Sequence, residues 1–162
     1  MSSLSVFDQL AMHDFAADLP AAWLHRWARA GRPVFRASRE RLFAAGESAT
    51  RFWLINSGAV VLDFAVPGRG DIVVERLRQG SVVGWSWLMP PYRWRFGAVV
   101  AEDMHAIEFD AAMVRDMIAD DAELGRDLNA RFLTVVADRL HAARQRLAEL
   151  YAYPDSDPGD YR

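Results

Sequence analysis

Apolar positions along this chain change their period twice. In the first thirty residues Phe7, Leu10, Ala11, Phe15 and Leu19 recur close to every 3.6 positions, the spacing of a helix that buries one face. Pro20 suits the first turn of a second helix carrying Trp23, Leu24 and Trp27, with Gly31 placed to close it. From Arg32 the helical period gives way to short apolar runs at 33–37, 41–44, 52–55, 59–65, 72–77, 81–83, 98–101 and 104–109. Turn residues separate them at short intervals, which predicts an all-β sandwich or barrel. Two turns are expected to be sharp: Asn56-Ser57-Gly58, and Pro67-Gly68-Arg69-Gly70-Asp71. Their glycines permit the positive φ of a tight hairpin.

After Asp110 the helical period returns. Asp110 is placed to cap a short helix running to Ile118, and Asp120 or Asp121 a longer one, since a short side-chain acceptor satisfies the free N–H groups at a helix start. On the long helix Leu133, Val136, Leu140, Ala143, Leu147 and Leu150 follow 3,4,3,4,3 spacing, the seam of a coiled coil. A homodimer through this seam is therefore expected, and a second stripe, Phe132 and Val135, is expected to face the chain's own barrel. The organisation read from the pattern is a helical segment at 1–31, a β roll at 32–109, helices at 110–150 and a frayed tail at 151–162.

Composition narrows the chemistry. The chain is 52% apolar and 25% charged, the balance of a globular protein rather than a disordered one. Nineteen basic side chains against 22 acidic ones leave −3, which gives no basic footprint for nucleic acid. Cysteine is absent, so disulfides, thiolate zinc sites and thiol nucleophiles are excluded. Every basic side chain is Arg, which excludes Schiff-base catalysis and a Lys-bearing P-loop. The four histidines, His13, His25, His105 and His141, are scattered; neither a cupin-type metal site nor a haem ligated by His105 or His141 is expected. No nucleophile elbow is present, so the chain reads as a non-enzyme without a cofactor. No signal peptide or membrane span is read, and the expected location is cytoplasmic.

Three strings carry a family resemblance: RLFAAGESATRFWLINSGAVVLDF (41–64), LRQGSVVGW (77–85), and AEDMHAIEFD followed by MVRDMI (101–110 and 113–118). Together with the order of helices, short-stranded roll and long helix, they resemble the cyclic nucleotide-binding domain found as the sensor half of CRP/FNR-type regulators. The resemblance implies a fold of mainly β class with flanking helices, a jelly-roll-like double-stranded β-helix. It also implies a phosphate-binding cassette, in which helix N–H groups and an Arg hold a cyclic phosphate while a Glu accepts the ribose 2′-hydroxyl.

Against that pattern Gly84 takes the glycine's place and Arg95 the arginine's, but Trp85 stands where the Glu is expected, and Phe96 and Gly97 where Ser/Thr and Ala are expected. An indole has no acceptor for a hydroxyl, and losing such a bond costs about 1.5–3 kcal/mol. The candidate ligand residues are Gly84, Trp85, Ser86, Trp87, Arg93, Arg95 and Arg144. Ser86 is a candidate cap for a short cassette helix. Arg93 and Arg95 share one face of an extended segment, with Trp94 on the other. Ala143 and Arg144 fall where related activators place hydroxyls against the base. The expectation is a regulatory module whose altered pocket takes a small-molecule effector or a protein partner; a working sensor of cyclic AMP or cyclic GMP is the alternative, and a cupin-like enzyme a lesser one. Related regulators continue into a helix-turn-helix, whereas twelve residues follow Leu150 here, so direct DNA binding by this chain is not expected.

Overall fold

A computed structural model describes residues 3–152 of the chain; the tail expected to fray lies outside the described residues from position 153 onward. Two short helices come first, α1 (Val6–Ala11) and α2 (Ala21–Ala28), joined through a 3₁₀ turn at Asp14–Ala16. Six strands follow: β1 (Gly31–Arg36), β2 (Arg41–Phe43), β3 (Arg51–Val66), β4 (Gly70–Leu77), β5 (Val82–Val83) and β6 (Gly97–Asp110). Two helices complete the described residues, α3 (Ala111–Asp120) and α4 (Ala122–Ala152). Residues up to Arg126 form one compact unit and those from Asp127 a second.

All strand pairs are antiparallel, in the order β1-β6-β3-β4, with β2 added on β6 and β5 on β3. This is a mainly β, jelly-roll-like roll with flanking helices. The Pro67–Asp71 turn joins β3 to β4 as expected, Val66 facing Gly70 across it.

The Asn56-Ser57-Gly58 turn does not form. β3 runs through it as one strand, and the ladder to β6 slips between Ile55 and Val60 instead. Gly58, at φ +91°, lies so close to β6 that a Cβ there would stand 2.2 Å from the Asp103 carbonyl oxygen. A bulge of this kind bends a strand without ending it. The two apolar runs of the sequence on either side of it are thus halves of one strand, and so are those on either side of Glu102-Asp103 in β6.

Gly31 does not close α2; it opens β1, packed on Ile107 and Phe109. The caps behave as short acceptors should: Asp110 accepts from the Met113 N–H, and Asp121, rather than Asp120, from the Glu123 and Leu124 N–H groups. The Asp121 carboxyl is held below its ordinary pKa, first by the Leu124 N–H and then by the guanidinium of Arg26.

One face of β3 and β6 builds an aromatic layer. Phe52 stacks on Trp87 and on Phe109, and Trp27 of α2 stacks on Phe109. Because neighbours on a strand point to opposite faces, Trp53 and Glu108 lie on the other side and pair directly across the ladder.

Candidate functional site

The segment between β5 and β6 folds inward through its tryptophans. Gly84, at φ +96°, is covered by the Trp94 ring, which a Cβ at that position would meet at 2.5 Å. Ser86–Leu88 forms a single 3₁₀ turn, too short for the expected cassette helix. Trp85 occupies its cap position, without a side-chain cap bond, so Ser86 is not the cap. The Trp87 indole N–H donates to the Gly84 carbonyl at 3.2 Å, and its ring is fully buried on Phe52. Trp94 is 6% exposed and stacks on Phe43 at 3.8 Å. Backbone bonds hold this end in place: Gly46 N–H to Trp94 O, Trp94 N–H to Glu47 O and Ala49 N–H to Tyr92 O.

The cationic residues of the segment lie outside that packing. Arg93 and Arg95 are both exposed while Trp94 between them is buried, the alternation of an extended stretch. Arg93 donates to the Gly46 carbonyl at 2.9 Å. The Arg95 side chain makes no hydrogen bond or ion pair with another described residue. Gly84 and Trp85 are half-buried. Gly97, in the place of the family's Ala, is where the Arg41–Asp63 pair lies; a Cβ there would meet Asp63 Oδ1 at 2.1 Å. The guanidinium of Arg115 on α3 ties to the segment as well, donating to the Trp87 carbonyl at 2.9 Å and lying 4.5 Å over the Tyr92 ring.

Phe132 is buried, Val135, Val136 and Ala143 are half-buried, and Arg144 is exposed. The seam leucines Leu133, Leu140, Leu147 and Leu150 are 51–75% exposed. Arg131 pairs with Asp127 one turn away.

A second constellation was not found from the sequence. Glu108 is 3% exposed, yet it faces Arg32 of β1 and Trp53 of β3 directly across the sheet. Arg32 donates to Oε1 through Nε at 3.0 Å, Arg36 and the Trp53 indole donate to Oε2 at 3.0 Å, and Arg51 stands 3.3 Å from Oε1. Burial pushes the carboxyl's pKa up, but the bonds from Arg32 and Trp53 and the charge of Arg51 outweigh it and leave it below the ordinary glutamate value. The signal was available in principle: an acid flanked by Ile107 and Phe109 in a buried strand, with Arg32, Val34 and Arg36 alternating on a neighbouring strand. Nothing in one sequence sets that register.

The unit that holds the roll contains at least three cavities among the described residues. One of about 590 Å³ is lined by Arg29, Arg32, Arg51, Glu108, Asp110 and Arg115 among others. One of about 280 Å³ lies between Trp53, Trp94, Arg36 and Arg41. The third, of about 400 Å³, is bordered by His13, Asp14, Asn56 and His105. Neither Gly84, Trp85, Arg93 nor Arg95 lines any of the three. His13 is buried and neutral: its Nδ1 accepts from the Phe15 N–H, which leaves Nε2 to donate to the Ile55 carbonyl. Burial holds its pKa below the ordinary histidine value. Among the described residues no cluster of three or more His, Asp or Glu is arranged to hold a metal ion, and no helix is long and apolar enough to cross a membrane.

The model of the cyclic nucleotide-binding domain matches residues 34–121. A Geobacter metallireducens protein named as a cyclic nucleotide-binding protein is similar in structure at TM-score 0.75 and 23% identity, over 87% of this chain and 100% of its own. A cyclic nucleotide-binding domain from Methylobacillus flagellatus gives 0.75 at 13% identity, over 90% and 82%. The catabolite activator protein of Thermus thermophilus gives 0.66 at 17% identity, over 88% and 63%. At these identities the structural likeness speaks to the fold. No curated protein sequence matches the chain.

Proposed function

Because the chain belongs to the cyclic nucleotide-binding domain family, we propose that it is a regulatory, non-enzymatic module whose cassette has become an aromatic plug. One observation carries this reading. Trp87 and Trp94 are packed into the roll on Phe52 and Phe43, while Arg95, the residue expected to hold a cyclic phosphate, is exposed. A guanidinium in water gains little from a phosphate, since exposed ion pairs contribute about 0–1 kcal/mol, and Trp85 offers no acceptor to a ribose hydroxyl. The module then works through contacts other than cyclic-nucleotide capture, with a small effector or a protein partner and with a second copy of itself. The exposed leucine seam of α4 supports the second copy: such a stripe leaves apolar surface in water unless a partner helix covers it. Action in the cytoplasm accords with the absence of cysteine.

Calorimetric titration with cyclic AMP and cyclic GMP tests the plug. The expected result is no saturable binding up to about 1 mM ligand, the weak end of useful affinity. Micromolar binding that disappears in Arg95→Ala overturns the reading and establishes the competing one, a working nucleotide sensor. That alternative is favoured by the retained spacing from Gly84 to Arg95.

A further inference from the structure

We propose that the cavity of about 590 Å³ bordered by the end of α2, β1, the start of β3 and α3 binds a small oxyanion of the phosphate or diphosphate class. Four arginines line it, Arg29, Arg32, Arg51 and Arg115, against two carboxylates, Glu108 and Asp110, so 4 − 2 leaves +2 in the wall of one cavity. The chain as a whole carries −3, so this positive charge is local and not a property of the surface at large.

The excess has a structural origin. One buried carboxylate, already bonded by the Trp53 indole and by the fork of Arg32, needs no more than one guanidinium to neutralise it. Glu108 collects three, with Arg36 and Arg51 added. Arg32 and Arg51 remain 61% and 51% exposed despite that contact. The Arg51 guanidinium stands 3.3 Å from the carboxylate, and no hydrogen bond of that side chain is formed within the described residues. A guanidinium carries five N–H donors in a rigid fork, so most of the donors of Arg29 and Arg51 are unspent on the protein. Asp110 is committed to its cap.

A tetrahedral oxyanion is the ligand that suits convergent guanidiniums, because its paired oxygens accept two parallel N–H groups at once. The cavity's size lies within the range of small-ligand sites and accommodates a diphosphate or the phosphate end of an organic monoester. The site lies apart from Arg95 and owes nothing to it. Arg115 connects the two regions, since the same guanidinium that borders the cavity donates to the Trp87 carbonyl and covers Tyr92. An anion that draws on Arg115 therefore alters the surroundings of Trp87.

The test is a titration with inorganic pyrophosphate, and in parallel with inorganic phosphate, at constant ionic strength, read by calorimetry and by tryptophan fluorescence. Saturable binding at one site is expected. Arg29→Gln and Arg51→Gln should each weaken it by about threefold, the scale of one solvent-exposed ion pair, while Arg95→Gln leaves it unchanged. The Arg29 side chain has no partner among the described residues, so Arg29→Gln decides the matter even if Arg51→Gln fails to fold. No saturable signal up to about 10 mM, weaker than any useful affinity, overturns the proposal. So does equal affinity in Arg29→Gln and the unaltered chain, or loss of binding in Arg95→Gln. This outcome is independent of the cyclic-nucleotide titration, which reads the cassette.

Discussion

The cassette and the long helix solve opposite problems with the same kind of residue. Between Gly84 and Trp94 the chain buries Trp87 and Trp94 in its own roll and leaves Trp85 half-buried. Along α4 the leucines at 133, 140, 147 and 150 are left in water. Burial of aromatic surface contributes most where the ring is stacked on others, and the cassette rings are. The difference lies in where apolar surface is covered: Trp87 and Trp94 are packed within the roll, while the α4 leucines are exposed.

Four experiments break or sharpen that contrast. The largest effect is expected from Trp87→Ala, which empties a fully buried indole position; about 3–5 kcal/mol of stability should be lost, as for other buried Trp truncations, measured by urea unfolding. A loss under about 1 kcal/mol would mean the cassette is not core. Next comes Leu140→Asp, which places a carboxylate in the seam and should weaken self-association by about 100-fold or more. Light scattering showing the unaltered chain to be monomeric at high concentration would remove the exposed side of the comparison altogether.

Acid probes the buried side. His13 has a folded pKa below 6.5, the ordinary value, so the unfolded chain binds its proton first. Its contribution is complete above pH 6.5 and is lost as pH falls below that value through the folded one. Glu108, with a folded pKa below 4.5, adds a second loss below pH 4.5. The thermal midpoint should therefore fall in two stages on acidification, and His13→Gln should remove only the first. The smallest effect belongs to Arg95→Ala, expected within about 0.5 kcal/mol, as for an exposed side chain without a partner.

Much of the architecture was legible because it is written in local chemistry. The Pro67–Asp71 hairpin, the Asp110 cap and the return of helical spacing each rest on neighbouring residues. The corner at Gly58 was misread because a glycine after Asn-Ser signals a turn and a bulge alike. What separates them is the Asp103 carbonyl, which arrives from a distant part of the chain. The same reason hid the ring around Glu108: its arginines and its tryptophan are brought together by the register of β6 between β1 and β3. The departure of Trp85 from the family pattern was visible in the sequence, but the sequence did not show that Trp87 and Trp94 would pack as core or that Arg95 would lie outside it.

The position of β6 has a kinetic corollary. It is the sixth strand in chain order yet pairs with β1, β2 and β3, so Gly31 must find Phe109, and Arg51 must find Asp110. Until Gly97–Asp110 arrives, β1 and β2 have no ladder to join. Closing so long a loop carries its entropic cost before any contact rewards it, and refolding of the roll should wait on that single event.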